Sequence, residues 1–104
     1  MTRADPVTPG DLLKAEFLRP MKISQYRLAK EIGVLAQRIS AIVHGKRSIS
    51  ADTDLRLCRF FGLSNGYWLR AQALHDMEVA GAVLENALRK ITPWPTKRSR
   101  SVLS

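Results

Sequence analysis

Apolar residues along this chain recur every three or four positions, and no stretch keeps the two-residue alternation of a half-buried strand. The pattern predicts five helices with readable ends. Thr8-Pro9-Gly10-Asp11 supplies an N-cap, a proline at the first helical position and an acid three residues after the cap. Leu13 and Phe17 then share one face, and Pro20 is expected to close the helix. Ser24 caps a second helix whose Leu28, Ala29 and Ile32 point inward and which Gly33 ends. A third runs from about Ala36 to His44, with Ile39, Ile42 and Val43 inward, and stops at Gly45. Ser50 caps the fourth, which carries Asp52 in its first turn, apolar bulk at Leu55, Leu57, Phe60 and Phe61, and Gly62 at its end. Ser64 opens a long last helix to about Ile91, beyond which Pro93 and Pro95 forbid continuation. The expected fold is all-α: one helical domain over residues 1–92 and a flexible basic tail over 93–104.

The second and third helices form a unit over about residues 24–44. Two short helices joined by about three residues containing a glycine describe a helix-turn-helix. Ala29 is small where the helices would cross, Gly33 accepts a positive φ, and Leu28, Ile32, Val34, Ile39 and Ile42 form the inner seam. Gln37, Arg38, Ser40, Ala41 and His44 are left facing outward on the third helix. In a major groove Gln pairs bidentately with adenine and Arg with guanine, while an alanine methyl packs on thymine, so these five are the candidate base readers. Ser24, Gln25 and Arg27 sit at the start of the preceding helix, where free N–H groups favour a phosphate. Lys46 and Arg47, just past the third helix, complete the candidate phosphate contacts.

Charge supports the same partner. Seventeen Lys and Arg against nine Asp and Glu give a net charge of +8 over 104 residues, a field suited to a polyanion. Residues 21–60 carry eight bases against Glu31, Asp52 and Asp54, so +5 of the total lies around the helix-turn-helix. Residues 61–88 hold one base, Arg70, against Asp76, Glu78 and Glu85, and residues 89–104 hold five bases and no acid. Cys58 is the single cysteine, which removes an internal disulfide and points to a reducing compartment. The first ten residues lack the apolar stretch of a signal peptide, and no run approaches a membrane span, so a cytoplasmic location is expected.

Several short stretches occur together: Pro9-Gly10, Glu16-Phe17-Leu18, Ser24-Gln25-Tyr26-Arg27-Leu28-Ala29, Gln37-Arg38-Ile39 and Gly45-Lys46-Arg47. They are followed by Ile49-Ser50-Ala51-Asp52-Thr53, Leu55-Arg56-Leu57, Phe60-Phe61-Gly62, Tyr67-Trp68-Leu69 and Gln72-Ala73. Over roughly residues 8–80 these resemble the HigA family of antitoxins, whose helix-turn-helix is of the Xre, lambda-repressor-like type. The resemblance implies a small homodimer that binds and neutralises a HigB-like toxin, an mRNA-cleaving ribonuclease. It also implies repression of its own operon through palindromic operator DNA. The chain departs from the family at Leu35-Ala36, where members often carry proline, and after residue 88, where nothing matches.

Leu74, Met77, Gly81, Leu84, Leu88 and Ile91 follow the 3, 4, 3, 4, 3 spacing of an a/d seam. This seam either packs on the body of its own domain or pairs with a second copy, as a palindromic operator would need. A ribonuclease toxin is expected to be basic, which makes Asp11 and Glu16 on the first helix and Asp76 and Glu78 on the last the candidate toxin contacts. Catalysis is not expected. His44 and His75 are the only histidines, no metal-ligand spacing or phosphate-binding glycine loop occurs, and no cofactor is called for. Two other readings share the basic helical surface: a stand-alone Xre-type repressor without a toxin, and an adaptor for an acidic protein. Loss of DNA affinity with rising salt separates the adaptor from the other two.

Overall fold

A computed structural model describes residues 7–95; the tail expected over 93–104 lies for the most part outside them. Every regular element among the described residues is helical. Pro9–Leu12, Leu13–Leu18 and Arg19–Met21 form one continuous helical rod, α1, whose middle segment is π-helical. The others are α2 (Gln25–Ile32), α3 (Ala36–Val43), α4 (Ala51–Phe61), α5 (Tyr67–Val83) and α6 (Glu85–Arg89).

The expected ends hold for most elements. Thr8 and Asp11 form a reciprocal capping box at the start of α1, Ser24 Oγ accepts from the Arg27 N–H at 3.0 Å, and Ser50 Oγ accepts from the Thr53 N–H at 3.3 Å. Gly33 and Gly62 end α2 and α4 in the left-handed region, at φ 74° and 71°. Pro20 does not close α1. The Arg19 N–H reaches back five residues to the Lys14 carbonyl, and this wider turn accommodates a proline ring that would clash in a regular α-helix. Helical geometry therefore continues through Met21 and stops at Lys22, which is left-handed at φ 58°.

Buried side chains come from all of α1 to α5: Leu13, Leu18, Leu28, Ala29, Ile32, Ile39, Ile42, Val43, Leu57, Cys58 and Trp68, with Ile49 from the loop before α4. Phe17, Phe61, Tyr67 and Trp68 stack beside them, Phe17 lying 4.8 Å from Phe61 and 5.0 Å from Trp68 between ring centroids. Leu55 is half exposed, against expectation, because the inward face of α4 runs through Asp54, Leu57, Cys58 and Phe61 and Leu55 lies off it.

The start of α5 also differs from the sequence expectation. Ser64 is not its cap; Ser64 lies in the preceding turn, where its carbonyl accepts from the Cys58 thiol and the Tyr67 N–H. The cap position is Gly66, at φ 94°, which has no side chain to offer. Asp54 of α4 takes over: its carboxylate, 1% exposed, accepts from the N–H groups of Gly66 (2.7 Å), Trp68 (2.8 Å) and Leu69 (3.1 Å). The helix expected to run unbroken to Ile91 is interrupted at Leu84, in a stretch where every residue from Val79 to Pro95 is exposed and no packing enforces a regular rod.

Gly10 sets how closely α1 approaches α3. A β-carbon there would run into the Ile42 carbonyl and come within 2.9 Å of the Val43 Cα. Two stability measurements follow by urea unfolding. Gly10→Ala is expected to cost about 1–3 kcal/mol, as other overpacking substitutions do. Asp54→Ala is expected to cost about 3 kcal/mol or more, because it strands buried N–H groups, and Asp54→Asn to recover part of that loss.

Candidate nucleic-acid interface

With Ile39, Ile42 and Val43 turned into the core, α3 presents Gln37, Ser40, Ala41 and His44 on one side. These four and Lys46 line a single open groove on the protein surface. His44 is held in one orientation: its Nδ1 lies 2.8 Å from the Ser40 carbonyl oxygen and 3.4 Å from Ser40 Oγ. A carbonyl can only accept, so Nδ1 donates, and Nε2 of the neutral ring is left as an acceptor. The groove thus offers an amide with both donor and acceptor, an imidazole Nε2 and a methyl group.

Arg38, expected to face outward with them, does not. Its Nη1 donates to Asp52 Oδ1 at 2.9 Å and lies 3.4 Å from Thr53 Oγ1, with the side chain largely covered. The physical reason is the neighbouring first turn of α4, whose carboxylate lies within reach of α3 and competes for the guanidinium. Arg56 completes the arrangement. Its Nε donates to the same Asp52 oxygen at 2.8 Å, and its Nη1 donates to the Ile32 carbonyl at 2.7 Å, at the C-terminal end of α2. One carboxylate therefore ties α2, α3 and α4 together behind the exposed face of α3. Hydrogen bonds from Arg38 first, and Arg56 second, hold the Asp52 carboxyl below its ordinary range.

The candidate phosphate contacts come from the start of α2 and from the loop after α3. Ser24 is exposed but committed to capping α2, and Gln25 is partly covered. Arg27 is exposed and paired with Glu31 at 2.7 Å, an i, i+4 surface pair that costs little to exchange for a phosphate. Lys46 and Arg47 project from the exposed loop after α3, which turns at Gly45 with φ 73°. That loop is anchored from outside the helix-turn-helix, because the Ile49 N–H donates to Gln72 Oε1 of α5 at 3.1 Å.

A family model described as helix-turn-helix matches residues 13–68. Virulence-associated protein I of Dichelobacter nodosus is 43% identical over 74 residues, covering 71% of this chain and 68% of that protein. Antitoxin HigA-1 of Vibrio cholerae is 33% identical over 76 residues, covering 73% of this chain and 71% of that protein. The chain belongs to the HigA family of helix-turn-helix antitoxins. The Pseudomonas aeruginosa antitoxin HigA, solved with the higBA promoter, superposes with a TM-score of 0.78 at 35% identity, covering 85% of this chain and 97% of that one. The HigA family is one of DNA-binding antitoxins and not of enzymes. Among the described residues no three His, Cys, Asp or Glu side chains gather as a metal site, and no helix is long and apolar enough to cross a membrane.

For a HigA-family chain the remaining surfaces matter as well. The seam residues do not pack on their own domain: Leu74 and Met77 are each 62% exposed, and Leu84, Leu88 and Ile91 are exposed too. Gly81 has open space around it. Of the acidic candidates, Asp11 closes the capping box of α1 and Glu16 is exposed on the same rod. Asp76 accepts from Gln72 Nε2 at 3.0 Å and lies beside His75, in a cleft shared with Thr8, Gly10, Lys46 and Arg47. Glu78, two residues further along, is exposed on α5.

Asp54, Arg56, Gln72 and Gly10 organise this site without having been assigned a role from sequence. Only Asp54 carried a usable signal: a carboxylate on the same face as Leu57, Cys58 and Phe61 needs buried donors.

The lowered pKa of Asp52 gives a pH test. A depressed carboxyl contributes stability that is fully present above its ordinary pKa and lost as the pH falls through the depressed one. Thermal unfolding of wild type and Asp52→Asn should therefore differ by a constant margin around neutral pH. The margin should close in acid, below the ordinary carboxylate range.

Proposed function

We propose that this chain is the antitoxin of a toxin–antitoxin pair and represses its own operon as a homodimer on palindromic operator DNA. The observation that carries the reading is the exposed groove of α3, where Gln37, Ser40, Ala41 and His44 lie together with Lys46 at the rim. The likeness to an antitoxin solved with its promoter supports it. In this reading α3 enters the major groove. Gln37 addresses an adenine edge, Ala41 meets a thymine methyl, and Ser40 and His44 supply further base-edge contacts. Lys46, Arg47 and Arg27, with the first turn of α2 behind Ser24 and Gln25, hold the phosphates on either side. Arg38 acts through Asp52 to set the angle of α3 and reads no base.

The uncovered α5–α6 face, with Leu74, Met77, Gly81, Leu84, Leu88 and Ile91, is where the second copy pairs, placing two α3 helices on successive half-sites. The toxin is a HigB-like mRNA-cleaving ribonuclease of basic character, and Asp11, Glu16, Asp76 and Glu78 are its candidate contacts. The protein acts in the cytoplasm, where operator and toxin both occur.

The deciding experiment expresses the neighbouring small basic gene product with and without this chain. Growth arrest by the neighbour alone, relieved when both are made and co-purify, is the expected result. A harmless neighbour would remove the antitoxin half and leave a stand-alone repressor. Operator binding is checked separately by mobility shift. Gln37→Ala should cost about 1–3 kcal/mol and relax specificity at one base position. Lys46→Ala should weaken all sequences alike and flatten the salt slope by about one unit.

A further inference from the structure

We propose that Leu35 is a specificity-determining contact that reads thymine 5-methyl groups at the end of α3 that enters the groove. The inference rests on the operator-binding reading above and adds to it a base class and a residue.

Leu35 occupies the N-cap of α3, with extended backbone at φ −71° and ψ 144°, and makes no capping hydrogen bond. The other caps at this end of the fold are oxygen-bearing: Thr8, Ser24 and Ser50 each accept an N–H of the first turn, and Asp54 does the same for α5. A serine or aspartate at position 35 would make α3 more stable, so folding alone does not select a leucine there. Nor does the core, since Leu35 is 73% exposed, the most exposed large apolar side chain among the described residues before α5. It directly precedes Ala36 and Gln37, both exposed, at the N-terminal end of the helix whose first residues approach base edges.

Of the two neighbouring residues that could have read a polar edge, Gln37 remains exposed and Arg38 is held elsewhere. Arg38 is drawn back onto Asp52, so the groove-entering end of α3 offers a branched alkyl group and an alanine methyl in place of a guanidinium. An alkyl group neither donates nor accepts a hydrogen bond. In the major groove its one complementary feature is the 5-methyl of thymine. This end of α3 therefore selects a thymine-bearing step where a free arginine would have selected guanine.

The test is a thermodynamic cycle. A duplex covering the footprinted region upstream of the chain's own gene is prepared with thymine and, in a second version, with deoxyuridine at every thymine. Wild type, Leu35→Ser and Leu35→Met are titrated against both. Wild type should lose about fourfold in affinity for each methyl that Leu35 buries. Leu35→Ser should lose less by that factor, and Leu35→Met should behave as wild type. Contacts from Ala36 and Ala41, and any change in duplex shape, affect every variant and cancel. Thermal unfolding should show Leu35→Ser at least as stable as wild type, which separates lost contact from lost fold. Equal penalties for wild type and Leu35→Ser on the deoxyuridine duplex would overturn the Leu35 assignment while leaving operator binding intact. Failure of wild type to bind any upstream duplex selectively would overturn the operator reading and the assignment with it.

Discussion

The carboxylate of Asp54 sits where the apolar face of α4 meets the start of α5, and the rest of the fold is arranged around its satisfaction. A buried carboxylate without donors costs several kcal/mol, and here three backbone N–H groups of the first turn of α5 meet it. That turn would otherwise have only Gly66 at its cap, so each group resolves the other's deficit. The consequence is geometric. α5 must leave the end of α4 at a fixed angle, with Trp68 pressed into the aromatic cluster, His75 and Asp76 lying against the start of α1, and every residue from Met77 to Pro95 exposed. The uncovered apolar face of α5 and α6, proposed above to meet a second copy, is thereby aimed by a bond made in the core.

Two residues earlier on the same turn, Asp52 points the other way. Residues two apart on a helix do not share a face, and this places one carboxylate toward α5 and the other toward the helix-turn-helix. Asp52 draws in Arg38 from α3 and Arg56, which also holds the end of α2. Individually, pairs this exposed contribute little to stability. Their effect is on the orientation of α3, which is braced at its other end where Gly10 lets α1 lie against the Ile42 carbonyl. If α3 reads DNA as proposed, a helix held at both ends loses less conformational freedom when it docks, so more of its contact energy remains as affinity.

Helix positions were legible in the sequence because their signals are local. Thr8, Ser24 and Ser50 cap, Gly33 and Gly62 terminate, and the 3.6-residue rhythm marks Leu28, Ile32, Ile39 and Ile42 as core. Candidate readers Gln37, Ser40, Ala41 and His44 were legible for the same reason, as the complement of that rhythm. Two of the failures are tertiary and a third lies within one helix. Ser64 looked like a cap because nothing local shows that Asp54, ten residues earlier, already performs that work. Arg38 looked free and outward-facing because helical periodicity does not reveal a carboxylate approaching from another helix. Pro20 looked like a terminator because a wider turn ahead of it is invisible in residue type.

Arg38 also changes how the net charge should be read. Eight bases lie between residues 21 and 60, which puts +5 of the net charge around the helix-turn-helix. Arg38 and Arg56 are turned onto Asp52, and Arg27 is paired at the surface with Glu31, so three of the eight bases already have a carboxylate partner. Lys46, at the edge of the α3 groove, and Arg47 beside it are exposed bases on a loop pinned by Gln72. Counterion release counts phosphates neutralised, and a base already paired with a carboxylate contributes little to it. Affinity in such an arrangement comes less from bulk charge than from where two or three cations are held. The fold's investment in ordering α3 and its following loop is consistent with recognition of a particular sequence over general adhesion to DNA.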